Sequence, residues 1–187
     1  PLRQTPRAPR RAAVSAIMEG HRRVLGCAGY PVPVGPGRGA GEVGPGLDWR
    51  HPAVGALTHR LAAGDPAPEE FSRLARVIGA KLDALLAETD LVIAHNVLTM
   101  HFNLPLAAAL VGRRVLAWTH DLAWANPRYR DFHRDGRPYD LLHEPLPDVR
   151  YTAISSRVRG QLAEPYAVPA ATVPTGIART ALLRTHP

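Results

Sequence analysis

Two apolar runs of strand length, Leu91-Val92-Ile93-Ala94 and Val115-Leu116-Ala117-Trp118, each break off into polar side chains. The first runs into His95-Asn96 and the second into Thr119-His120-Asp121. A short apolar stretch without alternation fits a strand of a parallel sheet buried on both faces. In an open α/β sheet, ligands bind at the carboxyl ends of such strands. Both junctions are therefore expected to open onto one small-molecule site. At 187 residues the chain is long enough for one α/β domain with its own core and too short for two.

The formal net charge of +7 invites a nucleic-acid reading, but its layout argues against one. Residues 1–23 hold six Arg against Glu19, a net of +5, which leaves +2 for the rest of the chain. No stripe of basic residues interleaved with aromatics appears, so no nucleic-acid partner is expected. Cys27 is the single cysteine. It excludes an intrachain disulfide and a multi-cysteine zinc site, and its apolar neighbours suggest a small buried hydrophobe. No apolar run approaches the roughly 20 residues of a membrane span. The Arg-rich start lacks the apolar core of a signal peptide, so a cytoplasmic location is expected.

Along the chain, residues 1–11 read as a disordered basic arm. Ala12–Glu19 reads as a short helix stopped by Gly20, and Arg23–Ala28 as a strand. That order is the second half of a βαβ unit whose first strand is absent. Gly35–Gly46 is a flexible Gly/Pro connection, since it has no Gly-Lys-Ser/Thr ending of a phosphate loop. Helices are expected at Val54–Ala62, at Pro68–Glu88 with a stripe of Phe71, Leu74, Ile78, Leu82 and Leu85, and at Leu104–Leu110. Residues 122–148 lack periodicity, and a loop of that length is usually functional or disordered. Tyr151–Ser155 is a further strand, Ser156 caps a helix reaching Tyr166, and Thr172–Ile177 is a last strand and turn. The fold class is α/β: an open, mostly parallel sheet with flanking helices.

His120-Asp121 is the sharpest chemical candidate, an imidazole that titrates near neutrality beside a carboxylate acceptor. A loop-capping pair without chemistry is the plainer alternative. No metal is expected: His95 and His101 lie six residues apart, and no His-Glu-x-x-His helix is present. Ser155-Ser156 lacks the Gly-x-Ser-x-Gly elbow of a nucleophile and reads as helix capping. Trp124, Tyr129 and Tyr139 fit either stacking on a sugar or base, or packing the long loop onto the domain.

Gly20-His21-Arg22, Val92-Ile93-Ala94-His95-Asn96, Trp118-Thr119-His120-Asp121, Thr152-Ala153-Ile154-Ser155 and Val173-Pro174-Thr175-Gly176-Ile177 follow one another in chain order. In that order they resemble the strand ends of the amino-terminal domain of family-four retaining glycosyltransferases, which have the GT-B fold. The resemblance covers roughly residues 12–185. Thr175 and Ala178 stand where the family's last motif has Asn and Asp. The resemblance implies a Rossmann-like GT-B amino-terminal domain over 12–178, lacking its first strand, with 179–187 as the start of an interdomain hinge.

It further implies sugar transfer, with retention, from a nucleotide sugar to a hydroxyl acceptor. The donor would be a substrate, and neither cofactor nor metal is implied. His120 would be the catalytic-cleft residue that orients the donor sugar or acceptor. Asp121 and Asn126 would be its hydrogen-bond partners, His95 and Asn96 would line the acceptor side with Trp124, and Thr175-Gly176 would form the hinge-side turn. The partner implied is a carboxyl-terminal donor domain, without which the chain is expected to be an inactive fragment, and the family leaves room for a peripheral membrane contact. A non-catalytic glycan- or nucleotide-sugar-binding module of the same fold is the alternative, and a hydrolase-like use of His120-Asp121 a more distant one.

Overall fold

The computed structural model describes residues 13–32, 46–166 and 170–174. The chain divides into two compact units, Pro1–Ala40 with Gly176–Pro187, and Gly41–Thr175. The expected basic arm, most of the Gly/Pro connection, Thr175, Gly176 and the hinge lie outside the described residues.

In the first unit, α1 (Ala13–Cys27) runs straight through Gly20. The predicted stop there and the predicted strand at Arg23–Ala28 are both overturned. A mid-helix glycine costs only about 1 kcal/mol. Glu19 also ties the following turn together, accepting from Arg22 Nε at 2.9 Å and Arg23 Nε at 3.1 Å. Hydrogen bonds from Arg22 and then Arg23 hold its carboxyl down to about 2. The left-handed cap is Gly29, with φ +87. Gly29 N–H reaches Gly26 C=O at 3.1 Å and Tyr30 N–H reaches Leu25 C=O at 3.0 Å, a Schellman closure. Gly20-His21-Arg22 is therefore helical, not a turn into a strand, and Cys27 is exposed, not buried.

The second unit holds α2 (Pro52–Ala62), α3 (Pro68–Leu85), β1 (Val92–His95), α4 (Leu104–Leu110), β2 (Val115–Thr119), β3 (Val149–Ala153), α5 (Ser156–Tyr166) and β4 (Ala171–Thr172). It is an α/β unit with a four-stranded parallel sheet flanked by helices, in the order β1-β2-β3-β4. Strand order does not reverse among the described strands, so the carboxyl edge, and no switch point, is what could gather a site.

Local chemistry sets the element boundaries. Pro68 opens α3, with Glu69 and Glu70 in its first turn. Asn103 caps α4 by accepting Leu106 N–H at 3.1 Å, and Pro105 sits in the first turn. For α5 the cap is Ser155, one residue before the predicted Ser156, its Oγ accepting Val158 N–H at 3.2 Å. Helix α3 packs against α4. Leu74, Ile78 and Leu82 are buried on α3, whereas Leu85, expected in the same stripe, is exposed at the helix end.

The two faces of the sheet differ. Ala94, Val115, Ala117, Tyr151 and Ala153, on one face by register and alternation, are all buried and join the core. On the other face Trp118 and Thr152 are buried, Ile93, His95 and Leu116 are half-buried, and Arg150 is exposed. On the first face Val92 and Val149 are half-buried, so the expected burial on both faces holds for most of one face and only partly for the other. Residues 122–148 are packed rather than loose: Phe132, Tyr139, Leu141, Leu142 and Leu146 are buried. Tyr139 Oη donates to Leu61 C=O at 2.8 Å, which fastens this segment to the end of α2.

Candidate functional site

His95 is the last residue of β1, and His120 follows the last residue of β2. Parallel pairing sets His95 opposite Trp118, so both strands end at the same edge. His95 Nδ1 lies 3.3 Å from His120 Nε2, with ring centroids 5.6 Å apart. The His95 ring stacks on Trp118 at 5.8 Å and 25°. Two half-buried imidazoles separated by 25 positions in the chain therefore meet at one sheet edge.

The loops that carry them are stitched together. Asn96 adopts the left-handed conformation, with φ +55, which asparagine tolerates better than most residues. Its backbone N–H continues the sheet ladder to Trp118 C=O at 3.0 Å. Its side-chain Oδ1 then accepts the backbone N–H groups of His120 at 3.2 Å and Asp121 at 3.0 Å. Thr99 Oγ1 donates to Asp121 C=O at 2.8 Å, and Ala123 N–H donates to Thr99 C=O at 2.8 Å. A cradle tied this way holds the imidazoles in place with little to reorganise when a ligand arrives.

The other candidates serve mixed ends. One Asp121 carboxylate oxygen accepts Leu122 N–H at 2.9 Å, a local loop closure. Asn126 caps the turn Pro127–Phe132 by accepting Arg128 N–H at 3.1 Å. Trp124 is half-buried, in ring contact with His133 at 5.0 Å and His143 at 4.2 Å. His133 Nε2 lies 2.8 Å from Ala123 C=O, and a carbonyl can only accept, so that nitrogen carries the proton. Tyr139 belongs to packing, and Tyr129 meets His101 at a tilt and Phe102 edge-on.

Sequence reasoning missed Thr99, His133 and His143 as neighbours of this region. A threonine a few residues past a strand and an imidazole inside a long loop carry no local signal of what they will touch. His101, by contrast, sits among Phe102, Tyr129 and Phe132, and burial pushes its imidazole down to about 4. It is a neutral core group.

Two concavities lie elsewhere. One, of about 170 Å³, is lined at the amino edge of the strands by Asp90, Val92, Arg113 and Arg114 among others. The second, of about 230 Å³, is lined by Pro66, Pro68, Phe71, Ser72, Arg137 and Pro138. Neither is lined by His95 or His120, and the strand-end chemistry of that pair outweighs shape alone as a guide to function. Among the described residues no three or more His, Cys, Asp or Glu gather as a metal site, and no helix is long and apolar enough to cross a membrane. No protein-family model, no curated protein and no solved structure matches this chain.

Proposed function

We propose that this α/β unit is the acceptor-side part of a retaining glycosyltransferase, which moves a sugar from a nucleotide sugar to an acceptor hydroxyl. The observation that carries the reading is the approach of His95 Nδ1 to His120 Nε2 at the carboxyl edge of two adjacent parallel strands. Imidazoles can donate to or accept from sugar hydroxyls, and two fixed rings can orient a hydroxyl toward an anomeric carbon. Trp124 adds an aromatic surface on the loop after β2. Positioning and charge stabilisation would be the main catalytic terms, with the donor phosphates held by a second domain. Cytoplasmic acceptors fit this reading, as do acceptors reached at a membrane surface.

Two features temper the likeness to that family. Gly20-His21-Arg22 is helical, so the first of the five motifs is lost. Asn96 and Asn126 spend their side-chain oxygens on backbone N–H groups, which makes them scaffolding for the loops that follow β1 and β2.

The test is to incubate the full-length gene product with a panel of labelled nucleotide sugars and hydroxyl acceptors. Product with the donor's anomeric configuration supports the proposal. Donor or glycan binding without transfer under any pairing favours the non-catalytic module. Absence of both binding and transfer ends the sugar reading.

A further inference from the structure

We infer that Trp49, Phe102 and Tyr129 form with Arg50 a platform for an acidic sugar, a pyranose ring that carries a carboxylate. Trp49 is 50% exposed and Phe102 36%, although both side chains are large and apolar. Their ring centroids lie 5.8 Å apart, and Tyr129 meets Phe102 edge-on at 6.1 Å. A contiguous aromatic patch left open to solvent, assembled from three separate stretches of chain, marks a binding surface.

The patch is built beforehand. Asp48 Oδ1 accepts Arg50 N–H at 2.9 Å and Asp48 C=O accepts His51 N–H at 3.0 Å, a turn that presents Trp49. The buried Asn103 side chain donates to Gly46 C=O at 2.9 Å, which ties that turn to the segment carrying Phe102. Phe102 and Tyr129 lie on the connections that leave the carboxyl ends of β1 and β2, the edge that also bears His95 and His120.

Two properties choose the ligand. Neighbouring rings inclined at 42° and 78° cannot sandwich a flat base, whereas they can meet the C–H groups of a puckered sugar from two directions. The Arg50 guanidinium lies 5.4 Å from the Trp49 ring centroid, and the exposed Arg128 and Arg130 flank Tyr129 in sequence. None of these three arginines pairs with a carboxylate among the described residues. A guanidinium resting on an aromatic face is ready to receive a carboxylate. The inference rests on the sugar-transfer reading only in making this ligand the acceptor.

The test is titration of the 187-residue chain with methyl glucuronide, methyl glucoside and uridine monophosphate, following aromatic C–H signals by NMR, with no donor present. The glucuronide should perturb the Trp49 and Phe102 rings saturably and bind about fivefold or more tighter than the glucoside. Trp49→Ala should weaken glucuronide binding by about tenfold or more, and Arg50→Gln should bring it down to the glucoside's level. No glucuronide binding, equal affinity for glucuronide and glucoside, perturbation confined to other rings, or tighter binding of the nucleotide each overturns the inference. Both substituted side chains are exposed, and the measurement on the parent chain decides even if a variant fails to fold. Because turnover is not read, failure here leaves sugar transfer to its own assay, and failure of transfer leaves this result standing.

Discussion

The carboxamide oxygen of Asn96 accepts the backbone N–H of Asp121 at 3.0 Å, and it does so across the gap between two neighbouring strand ends. The same oxygen takes the N–H of His120 at 3.2 Å, so a side chain continues the ladder where the backbone of β1 turns away. Asn96→Ala removes this acceptor and puts a methyl side chain at φ +55. The expected cost is about 1–3 kcal/mol from strain and two lost hydrogen bonds. Asn96→Gly should recover the strain portion only, and Asn96→Asp should keep the acceptor. Urea denaturation of the three variants measures the order, and equal stabilities for alanine and glycine variants would show that the φ angle carries no strain.

His120 is the residue on which the sugar-transfer reading most depends. In the full-length gene product, His120→Ala should lower turnover by about tenfold or more while leaving the thermal midpoint near that of the parent. His95→Ala should lower it too, because His120 loses its ring partner. Unchanged rates in both variants would remove the strand-end histidine pair from the chemistry.

Burial of His101 makes a pH signature. Its imidazole is held down to about 4 in the folded chain, against 6.5 in the unfolded one. As pH falls between those values the unfolded chain takes up a proton that the folded chain refuses, so stability falls across that window and levels off below it. The loss should total roughly 3 kcal/mol. His101→Phe should flatten this limb of the stability profile, and a profile that keeps its slope would assign the acid sensitivity to other groups.

Gly64 ends α2 in the left-handed conformation, with φ +89. Gly64 N–H reaches Leu61 C=O at 2.9 Å, and Asp65 N–H reaches Arg60 C=O at 3.0 Å. A Cβ placed there would lie 2.9 Å from Arg134 Nη1. The guanidinium is exposed and can swing aside, so the backbone dominates the penalty. Gly64→Ala should cost about 1–2 kcal/mol, and Arg134→Ala in the same chain should relieve little of it. Full recovery in the double variant would mean the steric contact was the larger part.

Tyr139→Phe tests what fastens the long segment after β2. It removes the donor that Leu61 C=O receives at 2.8 Å in a buried setting. A loss of about 1–2 kcal/mol is expected in thermal or chemical denaturation. No loss would mean that solvent reaches Leu61 C=O and replaces the phenol.

Much of the architecture was legible because its signals are local. The bounds of α4 come from Asn103 and Pro105 at its start and Gly112 just beyond its end, and the start of α3 from Pro68 and its glutamates. Those residues act on backbone groups one to four positions away, within reach of a sequence pattern. The apolar runs likewise marked β1 and β2. Where two local signals of the same kind competed, neither was decisive by itself: both Gly20 and Gly29 could close α1, and the helix runs through the first to the second.

The meeting of His95 with His120 had no such local cause. It follows from parallel register between strands separated by a helix, with Val92 opposite Val115, and a one-residue slip would turn either ring to the opposite face. The turning of Asn96 inward, the ring contacts around Trp124 and the fastening of residues 122–148 to α2 are likewise products of long-range packing. Order along the chain named the ring-bearing strand ends, and only the tertiary pairing could set their nitrogens 3.3 Å apart.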